Sequence, residues 1–417
     1  MKGLLIITCL FLSFGLLGQD NASTRYRQDF DFFWTTVNDN YCYWNKKQTD
    51  WQKVRAIYEP LADTVTTKEN FIGLLEKAFY ELYDHHASLN TNTAASRRLV
   101  PSGTDIWAEY VKGIPLIKEV KRGSGAENCG LRPGMQIEAM NDAPIERAIQ
   151  SFLPLCLARP DDEAENYALR LVLAGNHSGV RKITIIQAGK QHVYYPDQPV
   201  NLLEEKNSKN EIESKILKGN IGYIVINNSL GDEDLVRLFD SVLTKLEPTS
   251  ALILDLRNTP SGGITTVARA IIGRFISKEG LYQKHELSSE EKETGIKRSW
   301  VEIVSPRKPF YRKPLIVLAD HWTGSVGEGI VIGFDALKRA TIIGTPMAGL
   351  NGAIYSFKMP NTGIGFSFPA EKIFHVNGTP REDFHPAIEI DPTKERPGED
   401  YILQQAMKYV AKHSLRQ

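Results

Sequence analysis

Between residues 24 and 95 the apolar positions recur every three or four residues, as in Phe71, Leu74, Leu75, Ala78, Phe79 and Leu82. That is the period of helices that bury one face. Pro60 breaks the pattern and Thr67 with Asn70 offers a weak cap after it, so 24–95 reads as a small helical bundle. From 104 to 195 short strand-like runs are punctuated by Gly and Pro. Residues 196–218 are polar and charged and read as a linker. From 219 to 395 strands and helices alternate. IGYIVINNSL, ALILDLR, PLIVLAD and ATIIGT read as strands, and EDLVRLFDSVLTKL, with Leu235, Leu238, Val242 and Leu246, reads as a helix. Continuous apolar runs such as ALILDLR suit strands buried on both faces, so the alternation predicts an α/β domain with a mostly parallel sheet. Residues 396–417 read as a helical tail.

The first eighteen residues carry one early Lys and then the apolar run LLIITCLFLSFGLL. The run is short for a membrane-spanning helix and suits a secretory signal peptide over 1–18, with an uncleaved anchor as the competing reading. The expected location is therefore secreted or periplasmic, with tethering left open. Composition narrows the rest. Lys plus Arg and Asp plus Glu are 50 each, so net charge is zero, which speaks against a nucleic-acid binder. Past the leader three cysteines are left, Cys42, Cys129 and Cys156, an odd number too small for a disulfide scaffold. No Cys/His spacing resembles a zinc site, and no cofactor is implied.

Two strand ends carry candidate chemistry, since ligands of open α/β sheets bind beyond the carboxyl ends of strands. One is Asp255-Leu256-Arg257-Asn258-Thr259-Pro260-Ser261-Gly262-Gly263. A Gly pair there lets backbone N–H groups face a ligand unobstructed. It is also a common tight turn. The other is Asp320-His321-Trp322-Thr323-Gly324-Ser325-Val326-Gly327-Glu328. A helix starting near Ser325 would present that hydroxyl at a strand-to-helix elbow with the Val326 N–H beside it. Ser325 and Glu328 equally fit a capping box.

Residues 104–195 resemble a PDZ domain, on Gly123-Ser124-Gly125-Ala126, Gly130-Leu131, Gly134 and Asn141, with Met135 in place of the usual Asp. In order along the chain, this pattern, the DLRNTPSGG run and the TGSVGE run resemble the tail-specific (C-terminal processing) proteases and tricorn-core serine peptidases. The resemblance spans about 30–395. It implies a ClpP/crotonase-like α/β core behind a helical bundle and a PDZ domain, with Ser325 as nucleophile and an oxyanion hole from Gly262 or Gly263 and Val326. The lysine base of tail-specific proteases would fall at Leu350, whose alkyl chain accepts no proton. The tricorn branch implies a histidine from the L-x-D-x-H pattern, here Leu82 to His86, with His86 as base and His85 where that branch has a relay serine. It also implies an orienting Glu in the loop before the last core strand, for which Glu382 is the candidate and Asp383 its neighbour.

The resulting expectation is a serine endopeptidase acting on polypeptides, docked by the PDZ domain. Two rivals use the same scaffold. One is an inactive carrier of peptide or small lipophilic ligands, like the interphotoreceptor retinoid-binding repeats. The other is an adaptor acting through the PDZ domain alone.

Overall fold

In the computed structural model, which describes residues 14–198 and 210–414, three sheets and the helices around them form three packed regions. The signal-peptide reading falls mostly on residues outside this range. No helix among the described residues is long and apolar enough to cross a membrane.

The helical region comprises Phe14–Asn40, Trp51–Ala62 and Lys68–Tyr80. Asp50 caps the second helix and Thr67 the third through side-chain oxygens that accept backbone N–H groups. Pro60 lies inside Trp51–Ala62, in its last turn. The faces of these helices converge on Phe30, Phe33, Phe71, Leu75 and Phe79. Phe366 and Phe368 of the strand Gly365–Phe374 complete that cluster, so the bundle is sealed by a sheet and does not close on itself.

The second region is a six-stranded sheet from Ile106–Val111 to Lys190–Tyr194, with the helix Asp162–Ala174 packed on it. It occupies the span read as PDZ-like.

The third region holds the predicted α/β core. Its sheet runs in the order Ile388–Glu389, Thr341–Gly344, Leu315–Ala319, Ala251–Asp255, Ile221–Ile226, Ile212–Leu217, parallel throughout except for the last pair. The Ile212–Leu217 strand lies in the segment read as a linker. Its charged Glu213 and Lys215 and its exposed Ile216 suit a solvent-facing edge strand, which a scan for buried apolar runs passes over. Leu252, Leu254 and Val317 point to one face, under the helices Asp234–Leu246, Thr265–Gly273 and Val326–Ala336. Ala251, Ile253, Ile316 and Leu318 point to the other, where Ile402, Ala406 and Val410 of the helix Tyr401–Ser414 cover them. The C-terminal segment is therefore a layer of the core. A further sheet, in the order Ser88–Leu89, Gly365–Phe374, Gly280–Leu287, Arg298–Val304, joins this core to the helical region, with Ala353–Lys358 also paired to Gly365–Phe374.

Candidate active site

The strand Leu315–Ala319 ends in a turn that enters the helix Val326–Ala336. At the junction Ser325 has φ 51° and ψ −110°. A serine costs on the order of 1–3 kcal/mol in such a conformation and keeps it only when its surroundings impose it. They do so here. The Ser325 N–H donates to Glu328 Oε2 at 2.7 Å, and the Gly324 N–H donates to the Thr259 carbonyl at 3.2 Å. Thr259 bridges Thr323 in parallel, so the two loops named from the sequence are packed backbone to backbone. A Cβ on Gly324 would lie 2.6 Å from the Pro260 carbonyl oxygen, closer than any real contact.

Gly262 meets the serine directly. Its φ is +66°, and a Cβ there would stand 2.4 Å from Ser325 Cβ and 3.1 Å from the Val326 N. The Gly262 N–H is taken by the Thr259 carbonyl at 3.2 Å. Gly263 follows without a main-chain acceptor for its own N–H, and Val326 is the first residue of its helix, where N–H groups have no intrahelical partner. Among the described residues, Gly263 and Val326 are therefore donors without a main-chain acceptor in the two loops that meet at Ser325. Gly262 serves as the space that lets them approach. Gly262→Ala should lower kcat by roughly ten- to a hundredfold, because the new methyl must displace the serine it touches. A variant with unchanged kcat on a peptide ester would show that this contact does not matter.

His86 lies beyond the helix Lys68–Tyr80, in the turn leading to the short strand Ser88–Leu89. Its N–H donates to Asp84 Oδ1 at 2.9 Å. Asp84 Oδ2 accepts from Tyr41 Oη at 2.7 Å and from Asn351 Nδ2 at 2.8 Å. The ring Nδ1 lies 2.6 Å from the Asn351 carbonyl. A carbonyl only accepts, so Nδ1 carries the proton and Nε2 holds the lone pair. Burial, with the Arg381 guanidinium nearby, pulls the imidazole down to about 4, and the Asn351 carbonyl and Asp84 offset only part of this. The ring is neutral near pH 7, the form a base needs.

The turn 348–352 connects His86 to the serine. Its Gly349 and Leu350 N–H groups donate to Glu328 Oε1 at 3.0 and 3.3 Å, while Glu328 Oε2 holds Ser325. Leu350 is buried, and its δ-methyl would lie 3.3 Å from a Cβ on Gly324. The position where the resemblance implies a lysine thus packs next to the Ser325 turn, and it is filled with hydrocarbon. Arg381, also buried, donates through Nη2 to the Leu350 and Gly352 carbonyls at 2.9 and 2.6 Å, and Nη2 lies 3.7 Å from Glu328 Oε2.

Glu382 is placed differently from the expectation. Its carboxylate accepts from Lys46 Nζ at 2.8 Å and lies 3.4 Å from Tyr43 Oη, and Asp383 shares the same lysine. The His86 ring is hydrogen-bonded to the Asn351 carbonyl instead, and the acid that fixes its segment is Asp84. Asp84 stands inside the L-x-D-x-H pattern, so that signal was present. Glu328 was visible only as a helix cap. Asn351 and Arg381 carry no local signal.

The turn that carries Ser325 is also fastened to the second region. Trp322 Nε1 donates to the Thr104 carbonyl at 2.8 Å, and the indole is wholly buried in that region's core. His321 Nδ1 is hydrogen-bonded to Glu119 of the strand Ile114–Val120.

The neutral His86 ring is hydrogen-bonded to the Asn351 carbonyl and not to Ser325. A strained serine at a strand-to-helix turn and N–H groups without main-chain acceptors on two facing loops are features that serine hydrolases use. Comparison with known proteins agrees. Residues 220–393 match the model of peptidase family S41, and residues 22–79 match that of the tricorn protease C1 domain. The S41 match spans the α/β core and supports a peptidase of that kind. Among solved structures it is similar to mature CPAF, with a TM-score of 0.61 and 15% identity over 94% of this chain and 97% of that one. It is similar to a putative peptidase from Parabacteroides merdae, at 0.56 and 18% over 93% and 96%. A third likeness is the photosystem II D1 C-terminal processing protease, at 0.52 and 16% over 88% and 93%. At these identities the likeness establishes the fold.

Proposed function

We propose that the protein is an exported serine endopeptidase in which Ser325 is the nucleophile and His86 the general base. Ser325 Oγ attacks the peptide carbonyl as its proton passes to His86 Nε2. The tetrahedral oxyanion is held by the Gly263 and Val326 N–H groups. His86 then protonates the leaving amine, and a water activated by the same Nε2 hydrolyses the acyl-enzyme. The Asn351 carbonyl fixes the tautomer, the part a buried carboxylate plays in other triads, and Asp84 holds the His86 backbone N–H and the Asn351 side chain in place. The observation that carries this reading is the contact of the Gly262-Gly263 loop with Ser325 and the Val326 N, a crowding with no use in an ordinary helix cap. Closure on substrate brings the two side chains to hydrogen-bonding range, as apo sites often require.

The test is labelling with a fluorophosphonate and mapping of the adduct by mass spectrometry. A single adduct on Ser325 is expected, together with cleavage of an unfolded protein substrate. Folded protein that takes no label between pH 5 and 9 would eliminate the reading. Export rests on the leader alone, and the N-terminus of protein recovered outside the cytoplasm should begin near residue 19.

A further inference from the structure

A cavity of about 640 Å³ opens between the helical region and the second region, on either side of which stand His85 and Leu171. Six consecutive residues, Ala87 to Asn92, line it. The run comprises the two-residue strand Ser88–Leu89 and the chain on either side of it, so the cavity lies alongside this segment. The strand Ser88–Leu89 is the last of its sheet and pairs on one side only, with Gly365–Phe374. The Asn90 N–H donates to the Gly365 carbonyl at 2.9 Å, and Ser88 is registered on Ser367. In an antiparallel ladder, bonded pairs alternate with non-bonded ones. Leu89, registered on Phe366, is therefore a non-bonded position, and its N–H and C=O point away from the partner strand, towards the open edge.

The same cavity holds an unbalanced cation. The Arg97 guanidinium lies 4.4 Å over the Phe152 ring, and no carboxylate among the described residues forms an ion pair with it. Two acids line the chamber. Asp84 is committed to Tyr41, Asn351 and the His86 N–H, and burial raises the Glu76 carboxyl towards its neutral form. Asp84 and His85 also line a second cavity of about 480 Å³ that reaches Gly349 and Asn351, in the turn packed beside the serine.

We infer that the 87–92 edge and Arg97 form a substrate-docking subsite that takes an extended polypeptide as an added strand and pairs with a carboxylate on it. Strand addition gives affinity through main-chain hydrogen bonds irrespective of sequence, and Arg97 adds a requirement for one acidic group. The inference rests on the peptidase reading for its purpose, yet its test needs no catalysis.

Ser325→Ala protein is titrated with three fluorescein-labelled unstructured peptides, followed by anisotropy. One has a free C-terminus, one a C-terminal amide, and one an amide with an internal Asp. The carboxylate-bearing peptides should bind about tenfold more tightly than the plain amide, and Arg97→Gln should remove that advantage. The peptide that benefits identifies the source as a chain terminus or a side chain. Leu89→Pro should weaken all three by about tenfold, because it deletes an N–H that the ladder does not use, whereas Leu89→Ala keeps that donor and the affinity. Melting temperatures of the variants separate lost binding from lost fold. Equal binding of the three peptides that neither Arg97→Gln nor Leu89→Pro changes overturns the inference, as does the absence of any binding. Failure of the peptidase reading looks different: peptides bind, yet wild-type protein neither cleaves them nor takes the phosphonate.

Discussion

His86→Ala should reduce kcat for peptide hydrolysis by roughly a thousandfold or more, and Ser325→Ala should reduce it at least as far, with little further loss in the double variant. The non-additivity is the informative part. A nucleophile and its base act as one unit, so removing either leaves only the oxyanion donors and binding. The expectation follows from the state of the imidazole. Its Nδ1 proton is committed to the Asn351 carbonyl and its Nε2 lone pair is free, and burial with the Arg381 charge keeps it unprotonated down to about pH 4. Exogenous imidazole should restore part of the activity of His86→Ala, since the Asn351 carbonyl remains to orient it. A His86→Ala protein within tenfold of wild type, unaffected by imidazole, would send the search for the base elsewhere. Lys372 would not be first in line, because its Nζ is hydrogen-bonded to Asn45.

The sequence exposed the fold well and the site unevenly, for physical reasons. Buried parallel strands are uniform apolar runs, so Ala251–Asp255 and Leu315–Ala319 stood out, and so did the loops at their ends. Local backbone demands were equally readable: Gly262 is a glycine because the serine fills the place of its Cβ. Partnerships across the chain were not. Glu382 looked like the orienting acid from its loop, but which base it meets depends on Lys46, 336 residues away in sequence. Arg381, one residue earlier, is the side chain that turns inward to the 350–352 carbonyls. Adjacent residues of a short 3-10 turn point about 120° apart, and so short a turn has no periodicity to say which faces in. Glu328 was hidden by its own double use. A capping glutamate satisfies one N–H of its helix. This one also holds the turn 349–350, and that turn comes from another strand connection.

That double use makes Glu328 the residue whose loss should be felt most in stability, and whose titration should shape the pH profile. It is fully buried and accepts three backbone N–H groups, from Ser325, Gly349 and Leu350. Glu328→Ala orphans them all, and at about 1–3 kcal/mol per buried unsatisfied group the protein should lose on the order of 3–9 kcal/mol. A loss below about 1 kcal/mol in urea unfolding would contradict the network. The pH behaviour is set by burial, which raises the carboxyl from the ordinary 4.5 to about 7, with Arg381 and the Ser325 N–H opposing. Between those two values the folded chain holds a proton that the unfolded chain has released. Stability from this group is therefore highest below pH 4.5 and falls by roughly 3 kcal/mol as pH rises to about 7. Activity should run the opposite way. Protonation turns one acceptor oxygen into a donor facing an N–H, the serine turn loses an anchor, and kcat/KM should rise through about pH 7 as the proton leaves. That limb would ordinarily be credited to a histidine. Here the His86 limb should lie near 4. Glu328→Gln separates the two, because an amide does not titrate. The variant should have lower kcat at every pH, no inflection near 7, a remaining limb near 4 and a flatter dependence of melting temperature on pH. If the inflection near 7 survives in Glu328→Gln and vanishes in a His86 variant with measurable residual activity, the titrating group is the imidazole, and the buried glutamate is a helix cap with no part in the chemistry.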